Sequence, residues 1–321
     1  MVKSLITGVS GFVGSHLAEY LLAQGEEVHG IKRWRSPLKN IEHILPQLTL
    51  HDADLLEKDS LVKVLKEVRP DYIYHLAAQS YVTYSFTAPD QTMAVNAGGT
   101  QNLYEAVLSS GIKVKAIQFC GTSEVYGQVT QEDVPIKETQ KFNPQSPYGA
   151  SKAAADIISK MFFEIHGLPI IRTRSFTHSG PRRGKVFVIS AFAKQIAEIE
   201  VGKKKEARIE VGNLDSIRTF MDARDTVKAY YLLLRHGILG EVYNIGGKTT
   251  MSIKEMLDIL LSMTSFKIEI YKNPLLLRKS DVTLQIPDCS KLESTIDWEP
   301  SIPFEKTLKD TLDYWRKEVR L

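Results

Sequence analysis

Tyr148 and Lys152 form the pair of residues whose chemistry and spacing stand out in this chain. Four positions apart on a helix, a phenol and an ammonium lie on the same face. The ammonium can then lower the pKa of the phenol, which favours a proton-transferring phenolate, and it can also hold a cofactor ribose. The alternative is a chance pair on a helix surface. Upstream, Thr122 can donate to a sugar oxygen and Glu124 adds a carboxylate, which favours catalysis.

Gly8, Gly11 and Gly14 predict a site for a pyrophosphate. They follow a predicted strand at residues 2–6 and precede a predicted helix at residues 16–24. Glycines allow a tight turn and a close approach of the backbone, and a helix start offers free N–H groups and a positive dipole end. The layout of strand, glycine turn and helix indicates a dinucleotide-binding site.

Arg33 and Arg35 follow the second predicted strand, where an enzyme that uses NAD normally has an acidic residue. Arginine pairs with phosphate through forked hydrogen bonds, whereas a carboxylate would repel it. The residues therefore predict NADP as the cofactor, through its 2′-phosphate. A basic surface loop is the alternative.

Elements that position these residues alternate between strand and helix. Strands are predicted at residues 2–6, 27–31, 48–50, 72–76 and 115–120. Helices are predicted at residues 16–24, 59–68, 101–109, 150–166 and 190–198. This alternation predicts an α/β fold with a doubly wound parallel sheet that has helices on both faces. The dinucleotide is then expected at the carboxyl ends of the strands.

Composition excludes several classes of function. A hydrophobic content of 43% and a charged content of 25% are ordinary, and a net charge of +3 does not indicate nucleic-acid binding. Cys120 and Cys289 are far apart, so neither a disulfide framework nor a zinc site is expected, and no metal is predicted. No apolar stretch reaches the length of about 20 residues that spans a bilayer. With no charged and apolar leader, the expected location is the cytoplasm.

Five motifs resemble the extended short-chain dehydrogenase/reductases that modify nucleotide sugars. They are the glycine turn, Asp54-Leu55, Leu76-Ala77-Ala78-Gln79-Ser80, Thr122-Ser123-Glu124-Val125-Tyr126-Gly127 and Ser146-Pro147-Tyr148-Gly149-Ala150-Ser151-Lys152. The resemblance implies a Rossmann domain at residues 1–176 plus about 220–250. It also implies a smaller α/β substrate-binding lobe at residues 177–219 plus about 251–321, with substrate in the cleft between them. A homodimer or homotetramer is expected.

Two subfamilies share the resemblance. Residues 28–33, 179–184 and 211–215 resemble the GDP-mannose 4,6-dehydratases. Residues 242–247 and 273–278 in the C-terminal third instead resemble the GDP-4-keto-6-deoxymannose reductases. Both act on one GDP-sugar scaffold. Because a C5 base is needed only for dehydration, Glu124 favours the dehydratase, a lyase with tightly held NADP, and the reductase stays open as the alternative.

The resemblance also assigns roles to individual residues. Thr122, Glu124, Tyr148 and Lys152 would be catalytic. NADP would contact Gly8, Ser10, Gly11, Phe12, Val13, Gly14, Arg33, Arg35, Asp54, Leu55, Leu76, Ala77, Ala78, Gln79, Tyr148, Lys152, His178 and Arg183. The nucleotide sugar would contact Ser80, Ser123, Thr177, Val188, Lys194, Arg218 and Arg278, the last two at the diphosphate and guanosine. A catalytically idle NADP sensor on the same fold is a further hypothesis.

Overall fold

A computed structural model of the chain describes residues 1–277 and 282–320. The strands are β1 (Lys3–Thr7), β2 (Glu27–Lys32), β3 (Leu48–Asp52), β4 (Tyr72–His75), β5 (Ala116–Thr122), β6 (Ile170–Ser175), β7 (Thr177–Ser179), β8 (Arg208–Val211), β9 (Ile217–Asp222), β10 (Val242–Ile245), β11 (Thr249–Ser252), β12 (Glu269–Lys272) and β13 (Leu284–Gln285). The helices are α1 (Phe12–Ala23), α2 (Lys58–Val68), α3 (Val82–Thr87), α4 (Pro89–Met93), α5 (Gly99–Ser110), α6 (Pro147–His166), α7 (Val188–Glu200), α8 (Ala223–His236), α9 (Ile253–Ser262), α10 (Ser290–Ile296) and α11 (Phe304–Glu318).

The large sheet has seven parallel strands in the order β10-β6-β5-β4-β1-β2-β3. The strand order reverses at β1, which lies between β2 and β4, so a crevice opens at the carboxyl ends of β1 and β4. All six residues of β6 are buried, as expected for a parallel strand that is covered on both faces. The predicted α/β fold with a doubly wound parallel sheet is confirmed.

Helices cover both faces of this sheet. On one face α1 packs against α8, and Leu17, Leu21 and Leu233 are fully buried there. On the other face α2, α5 and α6 pack side by side and bury Leu61, Leu103 and other apolar side chains. None of the helices in the described ranges is long and apolar enough to cross a membrane.

A smaller unit is formed by segments of the chain that lie after β6, and β10 of the large sheet lies between them. After β6 ends at Ser175, Phe176 is the single residue before β7, which pairs with β9 in a four-stranded sheet that also includes β11 and β13. Helices α7, α9 and α11 bury a separate apolar core, in which the rings of Phe220 and Phe304 stack 4.8 Å apart. Because α8 returns to the large sheet after β9, we propose Asp222 as the second crossing between the units.

A buried ion cluster connects α6 with β6. One Asp156 oxygen accepts from Arg172 Nη1 at 2.8 Å, and the other accepts from Arg174 Nε at 2.9 Å. All three side chains are buried. Removing one member of such a cluster leaves buried charges without compensation.

We therefore expect Asp156→Asn to lower the free energy of unfolding by about 3 kcal/mol. Urea unfolding followed by circular dichroism measures this change. Asp258→Asn is the matched control, because Asp258 pairs with Lys254 on an exposed helix face, where the loss is expected to be below about 0.5 kcal/mol. Equal small losses in both variants would show that the buried cluster is not a stabilising element.

Candidate active site

A cavity of about 1450 Å³ lies at the carboxyl ends of the central strands. It is larger than the pockets of roughly 300–1,000 Å³ that hold one drug-sized ligand. These predicted cofactor and catalytic residues line it: Gly8, Ser10, Gly11, Phe12, Val13, Gly14, Arg33, Asp54, Leu55, Leu76, Ala77, Ala78, Gln79, Thr122, Glu124, Tyr148, Lys152, His178 and Arg183. The volume and the lining fit two ligands that meet at the predicted catalytic residues.

The glycine turn at the start of α1 forms the floor of this cavity. Gly8 has a φ of +73°, which a side chain rarely adopts, and a Cβ on Gly14 would lie 2.3 Å from the Gly8 carbonyl oxygen. No side chain caps the N-terminus of α1 at Gly11. The turn therefore needs glycine and leaves the N-terminus of the helix available to a phosphate. This cradle fits the pyrophosphate of a dinucleotide.

Hydrogen bonds to Thr7 hold the end of β4 against the glycine turn. Thr7 Oγ1 accepts from the backbone N–H groups of Leu76 and Ala77, both at 3.1 Å, and lies 2.9 Å from His75 Nδ1. Burial lowers the pKa of His75 to about 3, so its imidazole is neutral. The same ring contacts Thr100 Oγ1 at 3.0 Å. His75 is thus a positioning residue for the Leu76-Ala77-Ala78-Gln79 segment of the wall.

The basic segment after β2 lies at one end of the cavity. Arg33 lines the cavity, whereas Arg35 does not: its guanidinium lies 4.3 Å from the centroid of the Trp34 ring. Lys39 and Asn40 also line this end, and Asn40 Nδ2 donates to the Ser10 carbonyl at 3.1 Å. The sequence reasoning missed these two residues, because they lie on a 3₁₀ segment that has no recognisable motif.

Tyr148 and Lys152 lie on the first turns of α6, which Ser146 caps by accepting from the Gly149 N–H at 3.0 Å. Burial raises the pKa of Tyr148, and the Thr122 hydroxyl and the Arg183 guanidinium act to lower it. Burial also lowers the pKa of Lys152. The role of Lys152 in stabilising a phenolate stays a prediction, and Thr122 and Arg183 are further groups that favour the phenolate in this structure.

Glu124 is half-buried in the wall of the cavity, on a 3₁₀ turn that directly follows β5. Thr122 Oγ1 accepts from the Glu124 N–H at 3.3 Å, which fixes the turn. The charge of the Glu124 carboxylate raises the pKa of Tyr148, so the two groups interact electrostatically across the cavity. The site thus brings a phenol, a hydroxyl and a carboxylate together.

Arg183 lies over aromatic rings at the centre of the cavity wall. Its guanidinium is 3.7 Å from the Phe187 ring centroid and 4.9 Å from that of Phe12. Burial lowers the pKa of Arg183 to about 10, so the guanidinium is still a cation at neutral pH. His178 stacks on Phe12 at 6.1 Å, and burial together with the Arg183 charge lowers its pKa to about 4. The pair therefore offers one cation and one neutral ring.

Cys120 also lines the cavity, and the sequence reasoning missed it. It lies two positions before Thr122 on β5, and residues two apart on a strand face the same side, which is the signal that could have found it. Its Sγ lies 3.2 Å from the Tyr230 hydroxyl, which lies 2.7 Å from Ser175 Oγ.

The predicted substrate residues divide into three groups. Ser80, Ser123, Thr177, Val188 and Arg218 line the cavity. Lys194 does not line it and pairs with Glu198 one turn further along α7. Arg278 lies outside the described residues. Gln285, which the sequence reasoning missed, joins the first group. Within residues 1–277 and 282–320, no three His, Cys, Asp or Glu side chains are grouped to hold a metal ion.

A seven-stranded parallel sheet, a glycine turn at its switch point and a Tyr–Lys pair on the following cavity wall define an extended short-chain dehydrogenase/reductase. The family model described as GDP-mannose 4,6 dehydratase matches residues 5–311. The chain therefore belongs to the GDP-mannose 4,6-dehydratase family.

The curated relatives that match this chain are named for two different activities. GDP-6-deoxy-D-mannose reductase of Pseudomonas aeruginosa is 34% identical over 318 residues, which cover 99% of this chain and 98% of the relative. GDP-mannose 4,6-dehydratase of Yersinia enterocolitica is 33% identical over 344 residues, which cover 95% of this chain and 91% of the relative. The solved structure of RMD from P. aeruginosa complexed with NADPH is 32% identical, with a TM-score of 0.85 and coverage of 99% and 100%.

Proposed function

We propose that this protein is a GDP-mannose 4,6-dehydratase with tightly held NADP. Glu124 is the observation that carries the proposal. A dehydratase needs a base for the C5 proton in addition to the group that acts at the C4 oxygen, and Glu124 supplies a carboxylate in the same cavity as Tyr148. The 33% identity to the dehydratase relative and the match to the family model support a substrate of the GDP-mannose type.

Two parts of the cavity fit two groups of NADP, the pyrophosphate and the 2′-phosphate. The glycine turn and the start of α1 accept the pyrophosphate, while Arg33 would pair with the 2′-phosphate of the adenosine ribose. Lys152 would hold the nicotinamide ribose. NADP would supply the acceptor for the hydride of C4 and the source of the hydride for C6, with no net consumption of the cofactor.

The residues of the chain carry the proton transfers. Tyr148, as phenolate, takes the proton of the C4 hydroxyl while the hydride leaves C4, and Thr122 donates a hydrogen bond to the resulting carbonyl oxygen. The C5 proton is then acidic, and Glu124 removes it. Glu124 passes this proton to the C6 hydroxyl, which leaves as water, and a C5–C6 double bond forms. A hydride would then reach C6 while the proton that Tyr148 took returns at C5. The net change is the loss of one water, and both side chains regain their starting protonation.

The second candidate is a GDP-4-keto-6-deoxymannose reductase, and the lengths of the alignments favour it. The reductase relative matches 318 residues with 99% coverage of this chain, whereas the alignment with the dehydratase extends over 344 positions. The dehydratase alignment therefore needs at least 23 positions at which this chain of 321 residues has none. In the reductase reaction Tyr148 would donate its proton to the C4 oxygen as hydride reaches C4.

Mass spectrometry of the purified protein with GDP-mannose and a trace of NADP⁺ tests the proposal. Loss of one water from the nucleotide sugar without added reductant is the expected result. Intact GDP-mannose, with NADPH consumed when the 4-keto-6-deoxy sugar nucleotide is added, would overturn the dehydratase in favour of the reductase. Neither reaction in either assay would favour the NADP sensor.

Arg33→Glu is expected to weaken NADP binding by about 30-fold while NAD binding changes little, because the substitution replaces a charge-assisted bond to the 2′-phosphate with repulsion. Titration calorimetry with both dinucleotides measures the ratio. Lys63→Glu makes the same change of charge on the exposed face of α2 and serves as the control. Equal weakening of both dinucleotides would show that Arg33 does not select the 2′-phosphate.

We propose a homodimer as the minimal assembly, in the cytoplasm. Apolar side chains on α5 and α6 support the dimer: Leu108 is 40% exposed, Ile157 58% and Ile165 72%. An apolar face of this kind is typical of a surface that a second copy covers. Analytical ultracentrifugation distinguishes a dimer from a tetramer or a monomer.

A further inference from the structure

Gln285 is a fully buried amide in the wall of the cavity, with 1% of its surface exposed. It ends β13, and in the parallel pairing of β13 with β9 it is the direct partner of Arg218. Paired positions on neighbouring strands place their side chains together on one face of the sheet. The smaller unit therefore presents Gln285 and Arg218 side by side to the cavity.

The amide of Gln285 joins Arg218 to the turn that carries the catalytic residues. Gln285 Oε1 accepts from Ser123 Oγ at 2.6 Å and from Arg218 Nη1 at 3.4 Å. Its Nε2 donates to the Ser123 carbonyl at 3.3 Å. Ser123 lies between Thr122 and Glu124 and is itself 3% exposed. One buried side chain thus holds both the hydroxyl and the carbonyl of the central residue of the turn.

The contacts of Gln285 restrict the position of the Arg218 guanidinium on one side and of the Ser123 turn on the other. Arg218 Nη2 donates to the Val282 carbonyl at 2.8 Å, so the guanidinium is oriented by the segment that leads into the strand of Gln285. A buried polar group that loses its partner costs more than the net energy of the bond, so Ser123 and Gln285 strongly restrict each other. A displacement of Arg218 by a bound anion would therefore move the amide, and with it the turn of Thr122 and Glu124.

We propose that Gln285 is a positioning residue that couples the nucleoside diphosphate at Arg218 to the catalytic turn around Ser123. The inference rests on the proposed function, because it takes Arg218 to bind the diphosphate and Glu124 to act as the base. Gln285 contributes no proton. It fixes the distance between the cation that holds the nucleotide and the groups that act on the sugar.

Two substitutions separate the two ends of the coupling. Gln285→Leu removes both bonds to Ser123 and the bond to Arg218, so kcat is expected to fall about 10-fold and GDP binding to weaken about 10-fold. Gln285→Glu still accepts from the Ser123 hydroxyl and so retains one of the two bonds to the turn, but its charge opposes a diphosphate beside Arg218. We expect that variant to retain most of kcat and to show a KM raised about 10-fold or more.

Gln128→Leu is the matched control. Gln128 also joins these two segments, since its Nε2 donates to Thr283 Oγ1 at 2.9 Å, but it is exposed and does not line the cavity. Its substitution is expected to leave kcat, KM and GDP affinity unchanged. Thermal unfolding and NADP titration of all three variants identify any general damage to the fold or to the cofactor site.

The decisive measurement combines steady-state kinetics with GDP titration by calorimetry. The expected result is a loss of kcat in Gln285→Leu that Gln285→Glu does not share, together with weaker nucleotide binding in both variants. A folded Gln285→Leu variant that binds GDP like the wild type would overturn the proposal, and so would parallel losses of kcat in both variants. If the wild-type protein turns over neither nucleotide sugar, the proposed function fails, and the GDP affinities still decide the coupling at Arg218.

Discussion

Tyr148→Phe is expected to reduce turnover by about 10³-fold and to leave NADP affinity within about twofold of the wild type. The substitution removes only the hydroxyl that exchanges a proton with the C4 oxygen. Lys152 and the glycine turn, which would hold the cofactor, are unaffected. Both the dehydratase and the reductase require this proton, so the loss is expected whichever of the two reactions the protein performs.

The pH dependence of the wild-type enzyme provides a second measurement on the same residue. Burial raises the pKa of Tyr148, and Thr122 and Arg183 oppose that increase. A phenolate base is more abundant at higher pH, so the rate of C4 oxidation is expected to rise with pH up to the pKa of Tyr148. Tyr148→Phe is expected to abolish this rise.

Tyr271→Phe is the matched control for Tyr148→Phe, because Tyr271 is 43% exposed and its ring contacts Arg208 away from the cavity. Normal NADP binding with lost turnover would also exclude the idle sensor. A Tyr148→Phe variant as active as the wild type would contradict the assignment of Tyr148 as the catalytic acid or base.

Glu124→Gln is expected to abolish the loss of water from GDP-mannose, with a fall of about 10³-fold or more, because an amide cannot take the C5 proton. Oxidation at C4 does not need this carboxylate. A single turnover of the variant with bound NADP⁺ is therefore expected to accumulate reduced nicotinamide, which absorbance detects. Mass spectrometry of the nucleotide sugar measures the missing water.

Glu132→Gln is the control for Glu124→Gln, since Glu132 is exposed on a nearby 3₁₀ turn and does not line the cavity. If Glu124→Gln still reduces the 4-keto-6-deoxy sugar nucleotide at the wild-type rate, while the wild-type protein does not dehydrate GDP-mannose, the reductase is the correct function. A dehydration rate that does not change in Glu124→Gln would assign the C5 proton to another group.

Much of the fold was predictable from local patterns. The alternation of strands and helices predicted the parallel sheet, because apolar runs of this length and order have few other arrangements. The glycine turn and the Tyr148–Lys152 pair were also predictable, because each is a pattern of residues that lie only a few positions apart in the sequence. The glycines of the turn, Tyr148 and Lys152 all line the same cavity.

Other features depend on contacts between distant residues, and no local pattern encodes them. Gln285 reaches Ser123 only because β13 pairs with β9, and the two residues are 162 positions apart in the chain. The influence of Arg183 on the pKa of Tyr148 likewise depends on how the segment after β7 folds back over Phe12. Lys194 lies on the predicted helix, but the choice between the cavity and Glu198 is decided by the rotation of that helix.

Phe176, the single residue between β6 and β7, divides the chain into two stretches with different duties. Thr122, Glu124, Tyr148 and Lys152 all precede it, whereas Thr177, Val188, Arg218 and Gln285 follow it. The groups that we propose to make and break bonds are thus encoded separately from most of the groups expected to bind the nucleotide sugar. Substitutions after Phe176 that spare Gln285, which holds Ser123, can alter which nucleotide sugar is accepted while the reacting groups stay in place. Evolution can in this way diversify substrates on one reaction centre.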